Sequence, residues 1–128
     1  MLNFLAQPST SRFIIGVIFI GAGVLHFIKP GFYIRIMPDY IPYHKLMVYI
    51  SGMAEILGGA GVLIPSTRSI AAWGLILLLI AVFPANIDMS LQAIKHQGWR
   101  SLYTTATLVR LPLQLILMYW VYWACIQP

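Results

Sequence analysis

The chain contains four apolar stretches, each long enough to cross the roughly 30 Å hydrocarbon core of a bilayer, which takes about 20 helical residues. They span residues 12–29, 46–64, 70–91 and 104–125. Of the 128 residues, 60% are hydrophobic and 9% are charged, so a soluble domain of this length could not bury the apolar surface. Because no water reaches the hydrocarbon, each span must satisfy its own backbone hydrogen bonds as a helix. The sequence predicts an all-α fold, an integral membrane four-helix bundle that forms one domain over residues 1–128.

The longest connection, residues 30–45, mixes prolines with aromatic residues. It contains Pro30, Pro38 and Pro42, with Tyr33 and Tyr40 among them. Tyrosine suits the membrane interface because its ring is apolar while its hydroxyl stays in water. We therefore expect an interfacial loop that folds over part of the mouth of the bundle.

Glu55 lies at the midpoint of the second apolar stretch, and it is one of only three acidic residues in the chain. A charged side chain at the centre of a membrane helix costs about 2.5 to 3.5 kcal/mol on insertion scales. Such a residue persists where it is paired, lines a cavity or has a function. The best candidate partner is Arg110 in the fourth stretch, because a guanidinium can give a carboxylate two parallel hydrogen bonds.

Five polar side chains within the apolar stretches fall in the same half of the membrane. We call face A the side that carries the connections 30–45 and 92–103. Counting turns from face A places the polar cluster in the half nearer to it, and its members are His26, Glu55, Asn86, Arg110 and Gln114. Because they come from four different helices, we expect them to face the interior and to hold the polar end of a small amphipathic molecule. The other interpretation is a buried ion pair with amide support that only locks the helices in register.

Several other classes of function are not predicted. The formal net charge is +5, yet the basic residues are scattered without a basic run, so we expect lipid headgroups rather than nucleic acid as their partners. His44 and His96 join His26 near face A, but no metal-ligand spacing is present and no metal site is predicted. Cys125 is the only cysteine, which excludes an intrachain disulfide.

Basic residues also predict the orientation in the membrane. Those on the side of face A are Lys29, Arg35, Lys45, Lys95 and Arg100. The opposite side carries Arg12 and Arg68. The positive-inside rule then places face A in the cytoplasm and both termini outside.

A set of short motifs resembles the DoxX family of small bacterial membrane proteins over nearly the whole chain. The motifs are Gly23-Val-Leu-His26-Phe-Ile-Lys-Pro30, Met37-Pro-Asp-Tyr-Ile-Pro42, Ser51-Gly-Met-Ala-Glu55-Ile-Leu-Gly-Gly59, Leu63-Ile-Pro65 with Arg68, Ala71-Ala-Trp73-Gly-Leu75, Val82-Phe-Pro-Ala-Asn86, and Arg110-Leu-Pro112 with Gln114. The resemblance implies a four-helix protein of the bacterial cytoplasmic membrane. That family is named for its similarity to a subunit of a thiosulfate:quinone oxidoreductase, and related members are accessory or assembly factors.

The polar cluster and the resemblance together predict a pocket for a quinone-like or lipid-like molecule, in a protein accessory to membrane redox chemistry. A quinone is the cofactor that this interpretation suggests, and independent catalysis is not expected. In the pocket, Trp73, Phe83 and the glycines would accept the apolar part of the ligand. One alternative is an assembly factor or subunit whose glycine-bearing faces grip the helices of a membrane partner or form a homodimer. Another is a small proton-coupled transporter, which would need Glu55 free of Arg110.

Overall fold

The computed structural model describes residues 7–126, except for the side chain of Ile36. This part of the chain is all-α, without strands, and its helices are α1 (Pro8–Ile28), α2 (Pro30–Ile36), α3 (His44–Leu63), α4 (Arg68–Gln97) and α5 (Leu102–Cys125). Four of them, α1, α3, α4 and α5, are long and apolar enough to cross a membrane. The predicted fold class is confirmed.

Two elements differ from the sequence-based expectation. Part of segment 30–45 is helical, since Pro30 begins α2 at a position where its fixed φ suits a helix and its missing N–H costs nothing. Helix α4 has 30 residues and continues past residue 91 to Gln97. The next residue, Gly98, has a φ of 79°, which lies in the left-handed region that a glycine adopts without strain.

Helices α1 and α3 form the most extensive helix contact and pack backbone against backbone. A Cβ atom added to Gly23 would lie 2.5 Å from the Gly52 carbonyl oxygen, and one added to Gly59 would lie 2.8 Å from the Gly16 carbonyl oxygen. Four glycines on the two helices therefore act inside this chain as the small residues of a close helix crossing. By contrast, a Cβ on Gly21 or Gly74 would meet nothing within 4 Å.

The apolar core fills the half of the bundle away from face A. It combines the start of α1 and α4 with the end of α3 and α5, and its members are Ile15, Phe19, Val62, Ala72, Leu75, Ile76, Leu79, Val121, Ala124 and Cys125. Buried side chains such as these supply roughly 1.5 to 3 kcal/mol each in water. In a membrane their contribution comes instead from close packing of the helices.

Two arginines close this apolar end of the bundle. Arg12 Nε donates to the carbonyl oxygen of Ala124 at 2.6 Å, and Arg68 Nε donates to that of Val62 at 2.8 Å. Both carbonyls belong to the last turn of a helix, where no intrahelical donor is available. Arg12 thus connects the end of α5 to α1, and Arg68 connects the end of α3 to α4.

Candidate functional site

A cavity of about 550 Å³ occupies the half of the bundle nearer to face A. All five helices contribute to its wall. Its polar lining consists of His26, Tyr33, Ser51, Glu55, Asn86, Arg110 and Gln114. Its volume lies within the range of about 300 to 1,000 Å³ that small-molecule sites have. The size and the mixed lining suit an amphipathic ligand.

The five members of the polar cluster all line this one cavity. His26 and Gln114 are buried, Glu55 and Asn86 are partly buried, and Arg110 is exposed. Successive membrane helices run in opposite directions. Each of the five residues therefore lies at a similar depth below face A, as the number of turns between it and face A predicts.

The buried charge of Glu55 is paired with His26. Nδ1 of His26 lies 3.3 Å from Oε2 of Glu55, which is ion-pair distance when the imidazole is protonated. The same Nδ1 lies 2.8 Å from the carbonyl oxygen of Ala22, which can only accept, so Nδ1 carries a hydrogen that it donates there. Oε2 is buried and receives no hydrogen bond from the described part of the chain.

The predicted pairing of Glu55 with Arg110 is wrong. No guanidinium nitrogen of Arg110 lies within 4.0 Å of a carboxylate oxygen of Glu55, and the ion-pair partner of Glu55 among residues 7–126 is His26. The reason lies in the α1–α3 crossing. Because Gly52 has no side chain, the Cβ of His26 lies directly against α3, and the imidazole reaches Glu55 one turn further along. Arg110 instead lies on α5, where its side chain is exposed.

Asn86 and Gln114 connect α4 to α5 in the wall of the cavity. Nδ2 of Asn86 donates to Oε1 of Gln114, and Nε2 of Gln114 donates to the carbonyl oxygen of Leu79. Leu79 immediately precedes Ile80, whose carbonyl loses its usual helical donor because Pro84 has no N–H. Gln114 therefore supports α4 where the proline weakens its backbone ladder, and it uses both ends of its amide within the protein.

Tyr33 of α2 is a cavity residue that sequence reasoning did not place in the site. Its ring stacks on that of His26, with centroids 3.9 Å apart and an interplanar angle of 15°. Burial raises the pKa of its hydroxyl, the negative charge of Glu55 raises it further, and the positive charge of Arg110 lowers it. The only sequence signal was its place in a segment expected to cover the mouth of the bundle.

The apolar wall of the cavity is aliphatic. Helices α4 and α5 contribute Leu78, Leu79, Val82, Leu113 and Leu117 to it. Trp73 and Phe83, which we expected to accept an apolar ligand, do not line it. Trp73 instead forms an edge contact with Tyr122, with ring centroids 6.0 Å apart.

A second cavity of about 540 Å³ lies outside the first, at face A. Its polar lining includes Arg35, Asp39, Asp88 and His96, and it has the connection after α2 on one side and the end of α4 on the other. Met37 and Met89 line both cavities and form the partition between them. Within the described residues, no group of three or more His, Cys, Asp or Glu side chains is arranged to hold a metal ion.

Four membrane-length apolar helices around an internal cavity define a multi-pass membrane protein. The chain belongs to the family described as a domain of unknown function (DUF8561), whose sequence profile matches residues 15–125. The match spans every member of the polar cluster. No curated protein matches the chain significantly. No solved structure matches it significantly either.

Proposed function

We propose that the inner cavity binds a quinone-like or lipid-like amphipathic molecule, with the polar head at the polar cluster. The apolar part would lie along the leucines of α4 and α5. The protein would act as an accessory to membrane redox chemistry rather than as an independent enzyme. The observation that carries this proposal is the convergence of five predicted polar residues, from four helices, on one cavity of ligand size.

The chemistry of the lining supports an amphipathic rather than a fully polar ligand. Arg110 offers a cation to a carbonyl or phosphate oxygen, while Glu55 and Asn86 offer acceptors. The remaining wall is aliphatic, which disfavours a small hydrophilic solute. A polar head among charged groups with an apolar tail along leucines is the arrangement expected of a lipid-soluble ligand.

The redox part of the proposal rests on the resemblance to the DoxX family. That resemblance also suggests the bacterial cytoplasmic membrane as the location. With the basic residues of face A counted by the positive-inside rule, face A would lie in the cytoplasm. Arg12 and Arg68 on the opposite side each satisfy a helix-end carbonyl, so their placement there has a structural reason of its own.

The test is native mass spectrometry of the protein purified in mild detergent, with organic extraction and an absorption spectrum of the same sample. We expect a bound quinone or lipid in the wild type and its loss in Arg110→Ala. Arg100→Ala is the matched control, because Arg100 is exposed and does not line the cavity. Retention of the ligand in Arg110→Ala, or an empty wild-type protein, contradicts the proposal. A stoichiometric second polypeptide would favour the assembly factor instead.

A second pair of variants tests whether the ligand occupies the cavity, because a bulky side chain added there should exclude it. Ala85 lines it, so Ala85→Phe should displace the ligand. Ala106→Phe adds the same ring to an exposed position of α5 and should leave the ligand in place. Loss of ligand from both variants would mean that the molecule binds at the lipid-facing surface.

The proton-coupled transporter is the second candidate, and a specific observation favours it. Glu55 does not pair with Arg110, so the carboxylate is not neutralised by a permanent cation. A transporter should release protons when a lipophilic cation such as tetraphenylphosphonium is added to the detergent-solubilised protein. Glu55→Gln should abolish the release, while Asp88→Asn should not. No release from the wild type rules out this candidate.

A further inference from the structure

Two side chains of the inner cavity, Asn86 and Glu55, carry oxygens that accept no hydrogen bond from the described part of the chain. Gln114 uses its amide oxygen on Asn86 and its amide nitrogen on Leu79. Asn86 donates one Nδ2 hydrogen to Gln114, and its Oδ1 remains an acceptor for a ligand. An acceptor needs a donor from whatever occupies the cavity, because a buried polar group without a partner costs free energy.

The carboxylate of Glu55 contributes the second acceptor of the cavity, while the imidazole of His26 does not decide the balance. His26 donates from Nδ1 to Ala22, and its Nε2 accepts in the neutral ring but donates in the protonated ring that pairs with Glu55. Oε2 of Glu55 is buried beside His26, which leaves Oε1 as the carboxylate oxygen available to the cavity. The hydroxyls of Ser51 and Tyr33 can donate or accept and do not decide the balance.

Arg110 supplies the opposite character from another helix. Its guanidinium only donates, and within the described residues it makes no hydrogen bond or ion pair with another side chain. The Tyr33 hydroxyl feels both charges, since Glu55 raises its pKa and Arg110 lowers it. The cavity thus holds a negative and a positive group that are more than 4.0 Å apart and do not neutralise each other.

We infer that the ligand head is bifunctional: a hydroxyl or ammonium donor faces Glu55 and Asn86 Oδ1, and a carbonyl, hydroxyl or phosphate oxygen faces Arg110. The inference rests on the proposed function and specifies the ligand chemistry of the same cavity. Two sources supply this head, a hydroquinone or a phospholipid with a primary ammonium group. A quinone without hydroxyls, or a phospholipid with a trimethylammonium group, lacks the donor.

The test uses two matched pairs of probes in which one member has the donor and the other lacks it. The first pair is phosphatidylethanolamine and phosphatidylcholine with identical acyl chains, titrated and detected by native mass spectrometry. The second pair is a short-chain hydroquinone and its quinone, with the former kept reduced under anaerobic conditions. We expect about tenfold tighter binding of the donor-bearing member in the pair that the cavity accepts, as one hydrogen bond to a charged group provides. The pair that shows the preference identifies the source.

The variants separate the two ends of the head. Glu55→Gln should reduce the preference while still allowing binding, whereas Arg110→Gln should weaken both members of the pair. Asp88→Asn, which removes a carboxylate from the outer cavity, is the control and should retain the preference. If Glu55→Gln does not fold, the comparison within each pair on the wild type still decides.

The outcomes distinguish the inference from the proposed function. Equal binding of both members of a pair, lost in Arg110→Gln, overturns the inference and leaves the pocket intact. A preference that persists in Glu55→Gln overturns the assignment of the donor to Glu55. Failure of all four probes to bind the wild type overturns both the inference and the proposed function.

Discussion

The Cβ atom of His26 occupies the space that a side chain at Gly52 would need, because a Cβ built on Gly52 would lie only 2.7 Å away from it. This contact fixes the distance between α1 and α3 at the level of the cavity. It also directs the imidazole to Glu55, so the ion pair depends on a residue that has no side chain. Packing and charge placement are therefore coupled at this crossing.

Gly52→Ala should destabilise the protein by about 1 to 3 kcal/mol through overpacking. The added methyl would also lie 3.0 Å from the carbonyl oxygen of Gly23, which is backbone and cannot rotate away. Gly74→Ala is the control, since nothing lies within 4 Å of its added Cβ. Both variants gain the same helix propensity, so the difference in Tm in detergent isolates the packing effect. Equal Tm values would show that α1 and α3 can separate without loss.

Gln114→Leu should destabilise the contact of α4 with α5 by about 1 to 3 kcal/mol, because it removes both hydrogen bonds of Gln114 and leaves the amide of Asn86 without its acceptor. Unfolding in detergent would measure the loss. A double-mutant cycle with Asn86→Leu should be non-additive, since the two residues share one hydrogen bond. Gln92→Leu removes an exposed amide and should change little. Additive losses would mean that the two amides act independently.

Arg12→Gln should lower the Tm, because Nε of Arg12 donates to Ala124 at the last turn of α5. A hydrogen bond from a charged donor contributes about 1.5 to 3 kcal/mol. Arg12→Lys should not restore stability, as an ammonium lacks the directed Nε–H donor. Arg100→Gln, an exposed arginine at face A, is the matched control. Full recovery in Arg12→Lys would mean that charge alone is what the position requires.

The hydroxyl of Tyr33 should ionise at a higher pH than free tyrosine, because burial and the charge of Glu55 raise its pKa. Ultraviolet difference titration of wild type against Tyr33→Phe would isolate this group. Glu55→Gln should lower its pKa, and Arg110→Gln should raise it. Shifts in the opposite directions would contradict the arrangement of charges around Tyr33.

The same group has a consequence for stability at alkaline pH. An acid with a raised pKa in the folded state holds its proton more tightly there, so stability is lost as pH rises past the unfolded value of about 10. The wild type should therefore lose stability above that pH more steeply than Tyr33→Phe. Thermal unfolding at a series of alkaline pH values would check this slope.

The sequence predicted the four spans and the depth of the polar cluster for definite reasons. Hydropathy identifies the segments that lie in the hydrocarbon core, and the direction of each helix gives the depth of residues such as His26 and Asn86. The sequence does not reveal the rotation of each helix about its axis. For this reason we predicted an ion pair of Glu55 with Arg110 instead of His26. Hydropathy also marks apolar segments rather than helix ends, and α4 therefore extended beyond residue 91 into a polar final part. The stacking of Tyr33 on His26 depends on a short helix in a proline-rich connection, which local pattern alone did not reveal.

Because the backbones of α1 and α3 are in direct contact, these two helices form one rigid pair. The two helices cannot move closer together, since Gly23 and Gly52 are already in contact. Part of the polar wall of the cavity lies on α1 and α3, and much of its aliphatic wall lies on α4 and α5. Any adjustment to a bulkier guest must therefore come from displacement of α2, α4 or α5, and displacement of α4 or α5 couples occupancy to the lateral pressure of the surrounding lipid.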